Sequence, residues 1–162
     1  MKKLGLLIVC IFGFTLSSQA QTVADNALGL RLGGSDGVGT EISYQRGLSD
    51  NNRLELDLGW RNGKNYDAFK LTGIYQWVWN IEGGFNWYAG VGAGIGSVDG
   101  NNDRWNDDDN GLFINAAGNV GIEYDFDFPL LLSLDFRPEF GVVNYYGDDV
   151  DFDLALGIRY QF

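Results

Sequence analysis

Histidine is absent from the 162 residues, cysteine and methionine occur once each, and proline occurs twice. Without histidine, the base that usually activates a hydroxyl nucleophile is missing, so Ser35, Ser43, Ser49, Ser97 and Ser133 carry no expectation of catalysis. Cys10 lies in an N-terminal apolar run and leaves with it on processing, which excludes disulfides and cysteine chemistry from the remainder. Basic residues are also scarce, 11 against 22 acidic ones. So acidic a chain is not expected to bind nucleic acid through its general field. After residue 20 no stretch repeats with the 3.6-residue period of a helix.

The first twenty residues read as a secretory signal: a basic "MKK", the apolar "LGLLIVCIFGFTL", and "SSQA" with Ser18 and Ala20 before a cut. A retained anchor is the alternative, but the run falls short of the roughly 20 residues a spanning helix needs. The expected division is a signal peptide over 1–20 and one domain over 21–162. Losing Lys2 and Lys3 leaves 9 basic and 22 acidic residues, a net charge of −13. Such acidity without apolar content would mean disorder, yet 45% of residues are hydrophobic and 15% aromatic.

What is abundant is glycine, 24 residues, and a strict two-residue alternation. Eight segments show it: "NALGLRLGG", "VGTEISYQR", "RLELDLGWR", "AFKLTGIYQWVWN", "FNWYAGVGAGIGS", "LFINAAGNVGIEY", "LLLSLDFRPEFGV" and "DFDLALGIRYQF". In the last, Phe152, Leu154, Leu156, Ile158, Tyr160 and Phe162 alternate with Asp153, Ala155, Gly157, Arg159 and Gln161. Each segment has about 10 residues or more, which spans about 25 Å of apolar thickness at a tilt near 40°. The expected fold is therefore all-β: an eight-stranded antiparallel up-and-down transmembrane β-barrel, closed because lipid offers no partner to a free strand edge.

Connections of alternating length follow. With a periplasmic N-terminus, "GSDG", "NGKNYD", "VDGNNDRWNDDDNG" and "NYYGDDVD" face outward, while "GLSDNN", "IEGG" and "DFDFP" are periplasmic turns. Tyr44, Trp77, Trp79, Phe85, Trp87 and Tyr124 fall beside those turns, as do Phe128, Tyr160 and Phe162, and are expected to form an interfacial aromatic girdle. The same strand count with the opposite face inside would give a soluble periplasmic carrier of apolar ligands. Bulky residues on every strand and the glycine row Gly90 to Gly96 on the polar face argue for apolar side chains outside.

The interior would then hold Arg31, Arg61, Lys70, Arg137 and Arg159 with Glu41, Glu55, Asp57, Glu123, Asp135, Glu139 and Asp153. Buried charges persist only when paired. The acidic surplus predicts that some carboxylate is protonated, hydrated or near the mouth. The network reads as a polar plug, with a narrow solute channel as the alternative, since eight strands leave little bore. Pro138 predicts a bulge in the seventh strand or its exit from the bilayer.

Two motifs are weighed and set aside. The glycines of "GVGAGIG" come at every second residue with no helix after them, unlike a dinucleotide loop. In the third outward loop Asp99, Asp103, Asp107, Asp108 and Asp109 are weak candidates for a divalent cation. Asn106 opens that sequence and Ala117 stands where a closing glutamate belongs, so a solvated acidic loop is expected and no cofactor, with cation bridges to lipopolysaccharide phosphates a weaker possibility.

On these residues the chain resembles the small outer-membrane β-barrel proteins of Gram-negative bacteria, the type of the OmpA transmembrane domain and of OmpX. The resemblance spans the whole processed chain and implies a non-enzymatic integral outer-membrane protein of structural, surface-interaction or weakly conducting role, with both termini periplasmic. It implies outer-membrane lipid and lipopolysaccharide as surroundings, and the barrel-assembly machinery as partner through Ile158, Tyr160 and Phe162. No peptidoglycan-binding domain follows, so that role of larger relatives is not implied. The loop partner is not specified.

Overall fold

The computed structural model describes residues 23–33, 39–62, 66–100, 111–143 and 150–162, with the side chains of 61, 62, 66, 67, 99 and 100 left aside. The expected signal peptide lies outside these residues, and so do residues 34–38, 63–65, 101–110 and 144–149 in the connections expected to face outward. Eight strands follow in order: β1 (Asn26–Gly33), β2 (Gly39–Ser49), β3 (Asn52–Asn62), β4 (Tyr66–Glu82), β5 (Phe85–Gly100), β6 (Gly111–Asp125), β7 (Leu130–Val143) and β8 (Val150–Gln161). Each pairs antiparallel with its sequence neighbours, and β1 pairs with β8, so the sheet closes into a barrel. Closure supplies ladder partners to the first and last strands, which would otherwise present open edges.

Three connections are tight. Two residues join β2 to β3, two join β4 to β5, and 126–129 join β6 to β7. Gly83 adopts φ of 55°, a left-handed conformation that glycine takes without a steric penalty. Asn80 secures this turn by donating from Nδ2 to the carbonyl of Gly83 at 2.9 Å.

The alternation sorts the side chains. Leu28, Leu30, Trp60, Phe69, Val91, Ile122, Phe152 and Leu154 point outward and are exposed, whereas Arg31, Glu55, Asp57, Gln76, Arg137 and Arg159 point inward and are buried. A soluble apolar-ligand carrier needs the reverse, so that alternative is overturned by the charged inner wall. The glycine row lies inside as expected; an added Cβ on Gly94 would overlap the Asn115 amide oxygen, and one on Gly96 would overlap the Phe113 ring.

Aromatic residues ring the tight-turn end. Trp79 stacks on Trp87 with ring centroids 4.3 Å apart, and Phe85, Tyr124, Phe126 and Phe128 form a second series, edge to face or tilted. Toward the other end Trp60 and Phe69 are register partners. Phe69 and Trp79 sit ten residues apart on β4, about 25 Å along the barrel axis at the usual rise and tilt.

Pro138 is accommodated without a bulge of its own. Its register with Phe152 on β8 is regular, and on the β6 side the ladder skips the positions opposite it. An added Cβ on Gly118 would meet the proline ring at 3.2 Å, so glycine leaves the ring its space. The irregularity of β7 comes four residues later, where Val143 pairs with Ile114 and Gly141 with Asn115, leaving Val142 extra.

Candidate functional site

The interior is the candidate site. It is built from alternate residues on all eight strands, so each charged side chain reaches partners across the lumen as well as beside it.

At the tight-turn end Arg53 donates from Nη2 and Nη1 to the two carboxylate oxygens of Glu123 at 2.6 and 3.1 Å, and from Nε to Gln76 at 2.6 Å. Its guanidinium lies 4.8 Å from the Tyr88 ring centroid, a cation–π contact away from water. Gln76 passes the connection on by donating to Asn119 at 2.8 Å, and Asn119 donates to Asp135 at 3.3 Å.

Glu55 organises the middle. It accepts from Gln45 at 2.6 Å, from Arg159 at 3.0 Å and from Arg137 at 3.1 Å. Arg159 also donates to the Ser43 hydroxyl at 2.9 Å and to the Ser133 hydroxyl at 2.8 Å. Both serines are thus held by a guanidinium, which cannot act as a base.

Toward the loops Arg31 donates to Asp135 at 2.6 Å, Glu41 at 3.0 Å and Asp153 at 2.5 Å. Arg137 pairs with Asp57 and with Glu41, the latter at 3.4 Å, so Glu41 joins two arginines. Above them Lys70 pairs with Glu139, which also accepts from Asn115 at 2.8 Å. From Arg53 to Arg159 the contacts form one unbroken chain of donors and acceptors.

Of the charges expected inside, Arg31, Glu41, Glu55, Asp57, Lys70, Glu123, Asp135, Arg137, Glu139, Asp153 and Arg159 all enter these ion pairs. Each of the acids has a cationic partner. The surplus is carried near the mouth, where the Glu41 and Asp153 side chains keep 17% and 14% exposure. Arg61 lies outside the described side chains, as do Asp99, Asp103, Asp107, Asp108 and Asp109. Among the described residues no cluster of three or more histidine, cysteine or carboxylate groups could hold a metal ion.

Sequence reasoning did not count Arg53 among the interior charges. Its inward parity with Glu55 and Asp57 was the available signal. Also missed were the roles of Gln76 and Asn119, which alternation places inside without saying that they relay one ion-pair cluster to the next.

Arg31, Arg137 and Arg159 are each at most 1% exposed, packed on all sides by neighbouring side chains. This layer of the lumen is filled by side chains. Of the girdle, Trp77, Trp79, Phe85 and Trp87 face outward and exposed, Tyr44 and Tyr124 half-buried. Ile158, Tyr160 and Phe162 are outward and exposed on β8.

No protein-family model and no curated protein matches the chain. Solved structures do match. The N-terminal β-barrel domain of Pseudomonas aeruginosa OprF aligns with TM-score 0.70 and 14% identity, over 86% of this chain and 98% of that one. Neisserial surface protein A aligns with TM-score 0.61 and 13% identity, over 85% and 94%. The outer membrane enzyme PagL aligns at TM-score 0.50 and 9% identity, over 84% and 99%. The chain thus has the fold of the small eight-stranded outer-membrane β-barrels. That fold carries both catalytic and non-catalytic proteins, so chemistry must be argued from this chain's own residues.

Proposed function

We propose that this is a non-enzymatic integral outer-membrane protein, closed internally by its ion-pair network, which contributes to envelope integrity or surface interaction through its outward loops. The observation that carries it is the inversion of polarity: three guanidiniums at most 1% exposed, inside a wall whose large apolar side chains face out. In water that wall would be insoluble, whereas in a bilayer it is the solvated face. Catalysis has no support, because no histidine is present and Ser43 and Ser133 are committed to Arg159.

In this reading both termini are periplasmic and the aromatic girdle sits at the periplasmic interface. Outer-membrane lipid and lipopolysaccharide surround the barrel, and Ile158, Tyr160 and Phe162 serve recognition by the assembly machinery. The acidic loop meets lipopolysaccharide phosphates through bridging divalent cations. A narrow channel requires the Arg31–Arg137–Arg159 layer to open.

Membrane fractionation with gel mobility before and after boiling tests the placement. An outer-membrane band whose mobility shifts on heating supports it, and a soluble, unshifting band overturns it. Planar-bilayer recording tests the plug: silence across salts is expected, and discrete conductance steps would replace the plug with the channel.

A further inference from the structure

The seam between β1 and β8 joins the first strand to the last, and its register can be compared with the alternatives. Ala27 pairs with Gln161, Gly29 with Arg159, Arg31 with Gly157, and Gly33 with Ala155. Both arginines lie at the seam, both are buried, and each stands opposite a glycine. We infer that this reciprocal arginine–glycine match, with a clasp at Asn26, is the recognition code by which the first and last strands select each other and the barrel closes in one register.

A one-residue slip is already forbidden, because it would send every side chain to the wrong face. A two-residue slip preserves the faces and needs a separate guard. In one direction it sets Arg31 opposite Arg159, two buried like charges on adjacent strands. In the other it sets Arg159 opposite Ala27, with a methyl group where Gly29 has none, and faces Gly29 with Gly157, leaving the wall thin.

The backbones also depend on glycine here. An added Cβ on Gly29 would overlap the Ile158 carbonyl oxygen and lie 2.6 Å from the Arg159 Cα. On Gly157 it would overlap the Ser133 hydroxyl and the Arg159 guanidinium.

The clasp closes the rim. The Phe162 N–H donates to the Asn26 carbonyl at 2.9 Å, and Asn26 Nδ2 donates to the Phe162 carbonyl at 3.3 Å. The Asn26 side-chain oxygen accepts from the Tyr44 hydroxyl at 2.7 Å and from Arg46 at 2.8 Å. One residue therefore ties β2 to the end of β8, and either two-residue slip breaks it.

The register can be read by cross-linking in the full chain carrying Cys10→Ser. Leu30→Cys with Ile158→Cys marks the native register. Leu30→Cys with Tyr160→Cys marks the slip that opposes the arginines. After folding into lipid vesicles and mild oxidation, only the first pair is expected to form a disulfide. Arg31→Gln removes the like-charge guard while keeping amide donors, and should let the second pair cross-link. Arg137→Gln damages the same lumen network away from the seam, and should leave the native cross-link alone. Gly29→Ala should abolish the native cross-link, whereas Gly73→Ala, whose Cβ would meet only the Leu56 methyl at 3.4 Å, should not. The inference is overturned if Arg31→Gln stays in the native register, if Arg137→Gln slips as readily, or if Gly29→Ala closes like the parent.

Discussion

Arg137 on β7 and Asp57 on β3 form an ion pair across the lumen, 80 residues apart in sequence and on strands that share no ladder. Both side chains are closed to solvent, with 0% exposure each. The pair fastens opposite walls, and its energetic weight depends on what is left behind when one member goes.

Among the described residues, replacing Arg137 by alanine leaves Asp57 with no ion pair and Glu41 and Glu55 with one fewer cationic partner. Removing one member of a buried pair typically costs about 3–5 kcal/mol. The denaturant midpoint of the vesicle-inserted barrel should fall accordingly. The double variant Arg137→Leu with Asp57→Leu should lose less than Arg137→Ala, because it strands fewer carboxylates. Equal losses would mean that the pair is not a coupled unit.

The two faces of β7 should respond to charge by depth. Leu134 lies outward in the apolar stretch of the strand between Leu132 and Phe136, and Val142 lies outward near its loop end with 63% exposure. Leu134→Arg should destabilise the inserted barrel by about 2–4 kcal/mol and Val142→Arg by only about 0–1 kcal/mol. Folding titrations in lipid vesicles measure both. If the two variants cost the same, the outer wall does not face a bilayer.

Gly121 should not tolerate a larger side chain. An added Cβ there would lie 2.5 Å from the Tyr88 ring and hydroxyl, and Tyr88 is fully buried. Gly121→Val should therefore cost about 1–3 kcal/mol or more from overpacking. The heat-induced mobility shift should occur at lower temperature. Gly73→Val, on the outward face near Leu56, is the comparison that should change little.

Trp79 and Trp87 stack on the outer wall beside the β4–β5 turn. Beyond their buried area such a pair contributes about 0.5–1.5 kcal/mol. A double-mutant cycle with alanine at both positions should return a coupling of that size. Indole fluorescence should also shift to the blue on vesicle insertion, since the rings leave water for the interface. No shift would separate the girdle from the membrane.

Much of this architecture is legible along the chain. Leu54, Leu56 and Leu58 against Glu55 and Asp57 fix both a strand and its faces, because a period of two is a local property of extended backbone. The short connections at Asp50–Asn51 and Gly83–Gly84 are equally local. Arg53 shows where such reading stops: beside a turn, parity and solvent exposure give opposite expectations, and only closure of the wall around it decides for burial.

By itself, then, the sequence determined eight strands, their outward apolar faces, the charged interior and the aromatic end. These follow from alternation and turn chemistry, which act within a few residues. The tertiary structure alone decided that Arg53 belongs to the network, that Gln76 and Asn119 relay it, that Arg137 meets Asp57, and that Gly29 receives Arg159 at the seam. Those partners are set by the tilt and stagger with which the closed sheet brings distant strands to one level, a quantity that no single strand carries.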